Sequence, residues 1–458
     1  MSEEARRADT GFLGHPRGLA ILSFSEAWER FSYYGMQALL VLYMTQHLLL
    51  AGHVEQVWGF APFRRLLEAA HGPLSPAALA SNIFGLYAGL VYLTPIAGGL
   101  LADRVIGKTR AVTLGGLLMA AGHFLMAFEA SFLPALLCLL IGVGCFKGNI
   151  ASQVGDLYAP DDLRRADAFQ VYMLGIQIAV IVSPLVCGTL GETVGWHWGF
   201  GAAGVGMLIG LLIYLGGRRW LPADPAPRAG RVAARAPLAR EERRTIALLV
   251  ALLPALALAA LGNQQIFNAY LIWGESHYQL VLGGRTMPIT WLISLDAFIS
   301  TGCMAASVGF WRLWARRFPE PQEITKLAIG TLISAAGPAL LAALSVSGHR
   351  ASLGWAIAFH LLNDIGFANV FPVGLALYSR AAPRAIGGTI IAVHYLYLFA
   401  ANLIVGWLGG LYETMGAARF WLIHCGLMLI AAAVLFGARI AFGRLLAPGA
   451  RAGLTRRA

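Results

Sequence analysis

The stretch EAWERFSYYGMQ, residues 26–37, sets two glutamates and an arginine inside the first long apolar run of the chain. A charge in mid-membrane costs from about 2.5 kcal/mol upward, so such groups face a protein interior, pair with one another, and mark an ion or substrate path. On a helix Glu26, Glu29, Arg30, Tyr33 and Tyr34 fall at spacings of three and four and share one face. A single Glu26–Arg30 pair would serve as a static clamp. Glu29 and the two tyrosines exceed what a clamp requires.

The run belongs to a chain of 458 residues that is 58% hydrophobic and only 12% charged, with a mean hydropathy of +0.67. Such a composition is too apolar for a water-soluble globule and reads as a polytopic membrane protein. Twelve apolar stretches can each supply the roughly 20 helical residues that cross a bilayer. They lie near 18–48, 80–102, 110–129, 131–154, 168–190, 196–216, 244–274, 287–311, 326–348, 353–378, 386–412 and 418–443. Ten-residue segments of alternating polarity are absent, so the sequence predicts an all-α bundle and not a β-barrel. The polar start, MSEEARRADTGFLGHPRG (1–18), lacks the apolar core and cleavage site of a secretory signal, and span 1 is expected to stay in the mature protein.

Basic residues fix the orientation, because basic loops are retained in the cytoplasm. The joins after spans 2 (Arg104, Lys108, Arg110), 4 (Arg164, Arg165), 6, 8 (Arg312, Arg316, Arg317) and 10 (Arg380, Arg384) are basic; the opposite joins carry only Arg64, Arg65, Arg285 and Arg350. Both termini are therefore expected in the cytoplasm. The net charge of +11 follows from this topology, and no basic patch carries a readable nucleic-acid motif. Five cysteines (Cys138, Cys145, Cys187, Cys303, Cys425) fall inside the spans without a CxxC pair or a His/Cys cluster of metal spacing; they read as packing residues, and no metal site is expected. GxxxG-like spacing, as at Gly142, Gly144 and Gly148, permits close helix contact.

The segment GRRWLPADPAPRAGRVAARAPLAREER (217–243) is rich in Arg, Ala and Pro and reads as a flexible cytoplasmic linker. It divides the chain into six spans (1–216) and six spans (244–458). Two six-helix bundles that rock about a site near the midplane are the architecture of the major facilitator transporters. The join GGLLADRVIGKTR (98–110) resembles the signature loop of that superfamily: Asp103 ends one helix, Gly107 makes the turn, and Arg104 and Arg110 stay in the cytoplasm. The resemblance implies a gating role for Asp103 and Arg104, as a latch against helices of the same half.

E-x-x-E-R-F-x-Y-Y-G, Glu26 to Gly35, resembles the helix 1 signature of the proton-dependent oligopeptide transporter family. The likeness continues through GVGCFKGNIASQVGDLY (142–158), SPLVCGTLGETVGWHWGFGAAGVGM (183–207) and FPVGLALYSRAAP (371–383), and the chain is identified as a member. Many bacterial relatives insert two further helices between the halves; residues 217–243 hold no apolar run for them.

The resemblance implies roles for individual residues. Glu26 and Glu29 handle the proton, Arg30 and Lys147 meet the substrate carboxylate, and Tyr33, Tyr34 and Tyr92 line the pocket. Lys147 is one of only three lysines beside 31 arginines, and it lies about mid-helix. In a low dielectric the neutral forms of a carboxyl and an amine come within reach, so a Glu/Lys/Arg set can exchange protons.

The departures from the family pattern are specific. Where relatives commonly carry arginine after Y-Y-G-M this chain has Gln37, and the acidic partner expected at the outer end of span 7 is Glu275 in LIWGESH, so the usual gating ion pair lacks one charge. The helix 10 glutamate that meets a peptide amine in relatives falls at Phe367, the helix 8 asparagine at Asp296, the helix 11 tryptophan at His394 and the helix 5 asparagine at Gln177. Asp296 and Asp364 are carboxylates that could receive a cationic amine instead; for Asp364 a packing hydrogen bond to Asn363 or a serine is the competing reading.

These readings lead to a proton-coupled symporter importing di- or tripeptides across the inner membrane by alternating access, without a cofactor other than the proton gradient, probed against one alternative: symport of another small carboxylate- or amine-bearing solute. Its expected partners are small peptides, protons and the lipid bilayer, not nucleic acid, and it is expected to be a monomer. A membrane enzyme is disfavoured, since the sequence holds no paired metal-binding aspartates, no G-x-S-x-G and no nucleotide loop.

Overall fold

The computed structural model describes residues 9–159, 162–224, 239–383 and 386–446. In chain order the main helices are α1 (Arg17–Tyr43), α2 (Phe60–His71), α3 (Pro76–Leu101), α4 (Lys108–Leu125), α5 (Phe132–Asp156), α6 (Arg164–Ser183), α7 (Trp196–Gly216), α8 (Arg240–Ala259), α9 (Ala269–His277), α10 (Trp291–Trp314), α11 (Glu323–Ser345), α12 (Leu353–Phe367), α13 (Phe371–Ala381), α14 (Gly387–Gly410) and α15 (Ala417–Leu446). Between α9 and α10 a small hairpin, β1 (Val281–Leu282) and β2 (Arg285–Thr286), turns on Gly283 and Gly284, both at positive φ.

The all-α reading holds. Among the described residues nine helices are long and apolar enough to cross a membrane, and a tenth arises if Arg240–Ala259 and Leu261–Phe267, bent by 50°, form one span. α1 and α4 occupy the positions of the other two expected spans without meeting that measure: α1 carries the three charges of the opening stretch, and α4 is 18 residues long with Lys108 and Arg110 in its first turn.

Two spans are broken in their interiors. Span 7 leaves α8 at Ala260, passes a 3₁₀ turn (Gln265–Phe267) and resumes at α9. Span 10 is interrupted between Phe367 and Phe371, where Pro372, which has no N–H to donate, opens α13. A break inside lipid would leave backbone groups without partners. Here Gln265, buried, donates to the Val405 carbonyl (3.3 Å) and accepts from the Ala269 N–H (3.3 Å).

The sequence reading missed the amphipathic helix α2, and it took the whole of 217–243 as linker. Arg218–Trp220 form a 3₁₀ turn, Leu221 is buried, and the Asp224 carboxylate accepts the Thr109 N–H (3.0 Å) and hydroxyl (2.9 Å) at the start of α4. An acceptor there satisfies donors that a helix start leaves open. α8 has begun by Arg240. Residues 225–238 of the expected linker lie outside the described residues.

The chain forms two compact units. The first comprises Met1–Ala80, Leu90–Arg231 and Arg285–Ala297. Its core includes a backbone-to-backbone approach of α3 and α5: a Cβ on Gly98 would lie 1.9 Å from the Gly144 carbonyl oxygen. Gly142 is likewise enclosed by Met119, whereas Gly148 faces open space. The second unit comprises Ser81–Gly89, Val232–Gly284 and Phe298–Ala458. It has its own glycine contact, between Gly330 of α11 and Gly366 of α12, where a Cβ on either would meet the other's carbonyl oxygen within 2.6 Å. The units do not follow the sequence halves strictly, because each takes in a short piece of the opposite half.

Candidate functional site

The first unit assembles the opening stretch as its spacing requires. On α1 the Arg30 guanidinium lies between both glutamates: Nη2 donates to Glu29 Oε1 (2.8 Å), and Nε meets Glu29 Oε2 and Glu26 Oε1, the latter at 3.1 Å. All three are buried, with Glu29 fully enclosed. The arginine therefore bridges two carboxylates, leaving three charges with a net charge of minus one if all are ionised.

Neighbouring helices complete the surroundings. Tyr172 of α6, fully buried, hydrogen-bonds Glu26. Tyr34 lies against Arg30, and the Tyr33 ring sits 5.4 Å from the guanidinium carbon and edge-on to Tyr34. Lys147, half-buried in the middle of α5, is near enough to Glu29, Glu26 and Arg30 to interact electrostatically with each, and its Nζ stands 5.1 Å from the Tyr92 ring centroid. A cation over an aromatic face is held without losing its charge. Eight residues from α1, α3, α5 and α6 thus meet in one place; Gln177 lies on α6, half-buried. Tyr172 was not foreseen, since a tyrosine in an apolar helix carries no spacing signal.

The other expected residues are placed as follows. Gln37 is buried on α1, with no partner for its Oε1 among the described residues. Asp296 is buried on α10. In the second unit Glu275 is half-buried on α9. Asp364 is fully buried and accepts from Asn363 Nδ2 (3.1 Å), the packing bond considered from sequence. Phe367 stacks on Phe371 (5.7 Å between centroids), and His394 is packed between Tyr378 (4.4 Å) and Tyr397 (4.9 Å) with no partner for either ring nitrogen among the described residues.

At the signature loop Gly107 turns at φ +81°, as expected. Asp103 and Arg104 are exposed; the latch to α5 is made by Lys108, which donates to Asp156 (2.6 Å) and Ser152 (2.7 Å). The residues of this latch were quoted in the sequence but assigned no such contact.

A family profile described as "POT family" matches residues 109–235. The chain is 29% identical to "Peptide transporter YePEPT" of Yersinia enterocolitica, over 87% of this chain and 88% of that one. It is also 29% identical to a "Di-/tripeptide transporter" of Lactococcus lactis subsp. cremoris, over 86% and 89%. A crystal structure of a peptide transporter POT mutant in complex with alafosfalin matches at a TM-score of 0.82 and 27% identity, covering 97% of this chain and 99% of that one. Fold and buried charges together define a multi-pass membrane transporter of the major facilitator type. Over most of its length the chain is similar to peptide transporters of the POT family.

Proposed function

We propose that this protein is a proton-coupled symporter that carries di- and tripeptides inward across the inner membrane. The observation that carries the reading is Arg30 held between Glu26 and Glu29 with Lys147 beside them. Protonation of one glutamate removes one partner from Arg30, and a substrate carboxylate can then take its place in a charge-assisted, two-pronged contact. Loss of the proton on the inner side restores the internal pair and expels the anion. Lys147 supplies the second cation. The names of the relatives support peptides as the cargo.

In this reading both termini are cytoplasmic, the twelve segments all span, the chain works as a monomer, and the proton gradient is the energy source without a cofactor or a covalent step. Glu275 and Gln37 belong to the outer gate, and Asp296 and Asp364 provide negative charge for the peptide amine. Phe367 and His394, both engaged in aromatic contacts, favour weighing a second cargo, a small carboxylate-bearing solute that lacks a peptide amine.

The test is uptake of labelled dialanine into liposomes under an imposed pH gradient, competed by amino acids, peptides and nitrate. Gradient-dependent uptake competed by dipeptides is the expected result. Competition by a single amino acid but not by any dipeptide overturns the peptide assignment.

A further inference from the structure

A second polar cluster lies in the first unit, away from the charges of α1. His47 Nε2 stands 2.7 Å from Glu129 Oε1, and His53 Nδ1 stands 3.0 Å from both Glu129 oxygens. The two imidazole rings are 4.2 Å apart. The three donor atoms all lie within 4.8 Å of one another.

Each segment is fixed in place by bonds other than these. α1 ends in a π-helical turn (Met44–Leu48) closed by the Leu49 N–H to the Met44 carbonyl (3.0 Å), and wider turns of this kind gather at functional sites. The chain then reverses through Gly52, at φ +95°, whose N–H is accepted by Glu55 (2.8 Å), and this returns His53 toward His47. Glu129 sits in a 3₁₀ turn before α5, and the Trp58 N–H to Ala130 carbonyl bond (3.0 Å) ties the two loops. All three side chains are partly open: 26% for His47, 37% for His53 and 17% for Glu129.

Two neutral imidazoles and a carboxylate are the donor set of open zinc sites, with bond lengths of about 2.0–2.2 Å that put tetrahedral ligands about 3.3–3.5 Å apart. The His53–Glu129 pair would need to open by about 0.3–0.5 Å and the His47–Glu129 pair by about 0.6–0.8 Å. Each ring would turn its proton to the other nitrogen, and water would take the remaining position. We infer that His47, His53 and Glu129 form a binding site for a divalent transition-metal ion of the zinc class, joining the end of α1 to the turn before α5. The nitrogen donors select against Mg²⁺ and Ca²⁺.

The substitutions that test this separate a metal site from a hydrogen-bonded clamp. His47→Gln keeps an N–H donor near the position of Nε2, and His53→Asn keeps one near Nδ1; neither side chain is a good metal ligand. Full-length protein with no histidine tag is titrated in detergent with ZnCl2 by calorimetry, and with Co²⁺ by visible absorption. Wild type is expected to bind one more Zn²⁺ than the His47→Gln/His53→Asn variant, or to bind it at least tenfold tighter, to give a four-coordinate Co²⁺ spectrum, and to melt at a temperature that rises with Zn²⁺ but not with Mg²⁺. His197→Ala, whose ring lies 6.3 Å from that of His47, is expected to leave binding unchanged. Equal Zn²⁺ binding by wild type and the double variant overturns the inference. So does a Glu129→Ala variant that melts lower while Zn²⁺ leaves wild-type melting unmoved, because the cluster is then a clamp and nothing more.

Discussion

Glu192 and Thr290, 98 residues apart, meet at the start of α10: the Glu192 carboxylate accepts the Thr290 N–H (3.0 Å) and hydroxyl, together with the Ile289 N–H (2.9 Å). Glu192 stands in the last turn of the helical stretch that continues α6, and a Cβ on Gly188, one turn earlier, would fall 2.0 Å from Thr290 Oγ1. An acidic acceptor at a helix start satisfies open N–H groups and interacts favourably with the helix dipole. Glu192→Ala is expected to destabilise the protein by about 1–2 kcal/mol, and Glu192→Gln, which keeps one acceptor oxygen, by less. Thermal unfolding in detergent measures this. A melting temperature for Glu192→Ala equal to that of wild type refutes the cap.

In the proposed mechanism the bridging position of Arg30 makes each member of its cluster necessary. Glu26→Gln, Glu29→Gln and Arg30→Ala are each expected to abolish pH-gradient-driven uptake. Removing the arginine leaves two carboxylates buried without a cation, so Arg30→Lys serves as the variant that keeps the charge but not the two-pronged contact. Size-exclusion profiles establish folding. Normal driven uptake in any two of the three variants contradicts the proposal.

Lys147 stands over Tyr92 in the middle of α5. If it meets the substrate carboxylate, Lys147→Ala loses driven uptake, and a dipeptide with an amidated carboxyl terminus competes at least tenfold worse than the free acid. An amide that competes as well as the acid removes Lys147 and Arg30 from carboxylate binding together.

Gly98 and Gly148 give a matched pair of substitutions. A methyl at Gly98 would sit 1.9 Å from the Gly144 carbonyl, whereas nothing lies within 4 Å of one at Gly148. Gly98→Ala is expected to cost about 1–3 kcal/mol by forcing α3 from α5; Gly148→Ala is expected to be near neutral. Melting temperatures of the two proteins decide it. Equal effects would mean that the α3/α5 approach is not tight.

The sequence by itself determined the membrane character, the helical class and the makeup of the charge cluster. Those features are local: a bilayer demands long apolar runs, and the helical period alone places Glu26, Glu29, Arg30, Tyr33 and Tyr34 on one face. Lys147 was legible for the same reason, as a lone ammonium in an apolar helix. Only the tertiary structure decided what depends on chain segments far apart. Glu192, Asp224 and Tyr172 look like ordinary polar residues until Thr290, Thr109 and Glu26 are brought against them. His47, His53 and Glu129 have no ligand spacing, because a loop reversal and a separate turn bring them together. For His394 and Phe367, at expected pocket positions, the tertiary structure supplies the aromatic neighbours, Tyr378 and Phe371. A residue's type and its neighbours on one helix follow from the order of the chain; its partners on other helices follow from packing, which a single sequence encodes only through the sum of all its contacts.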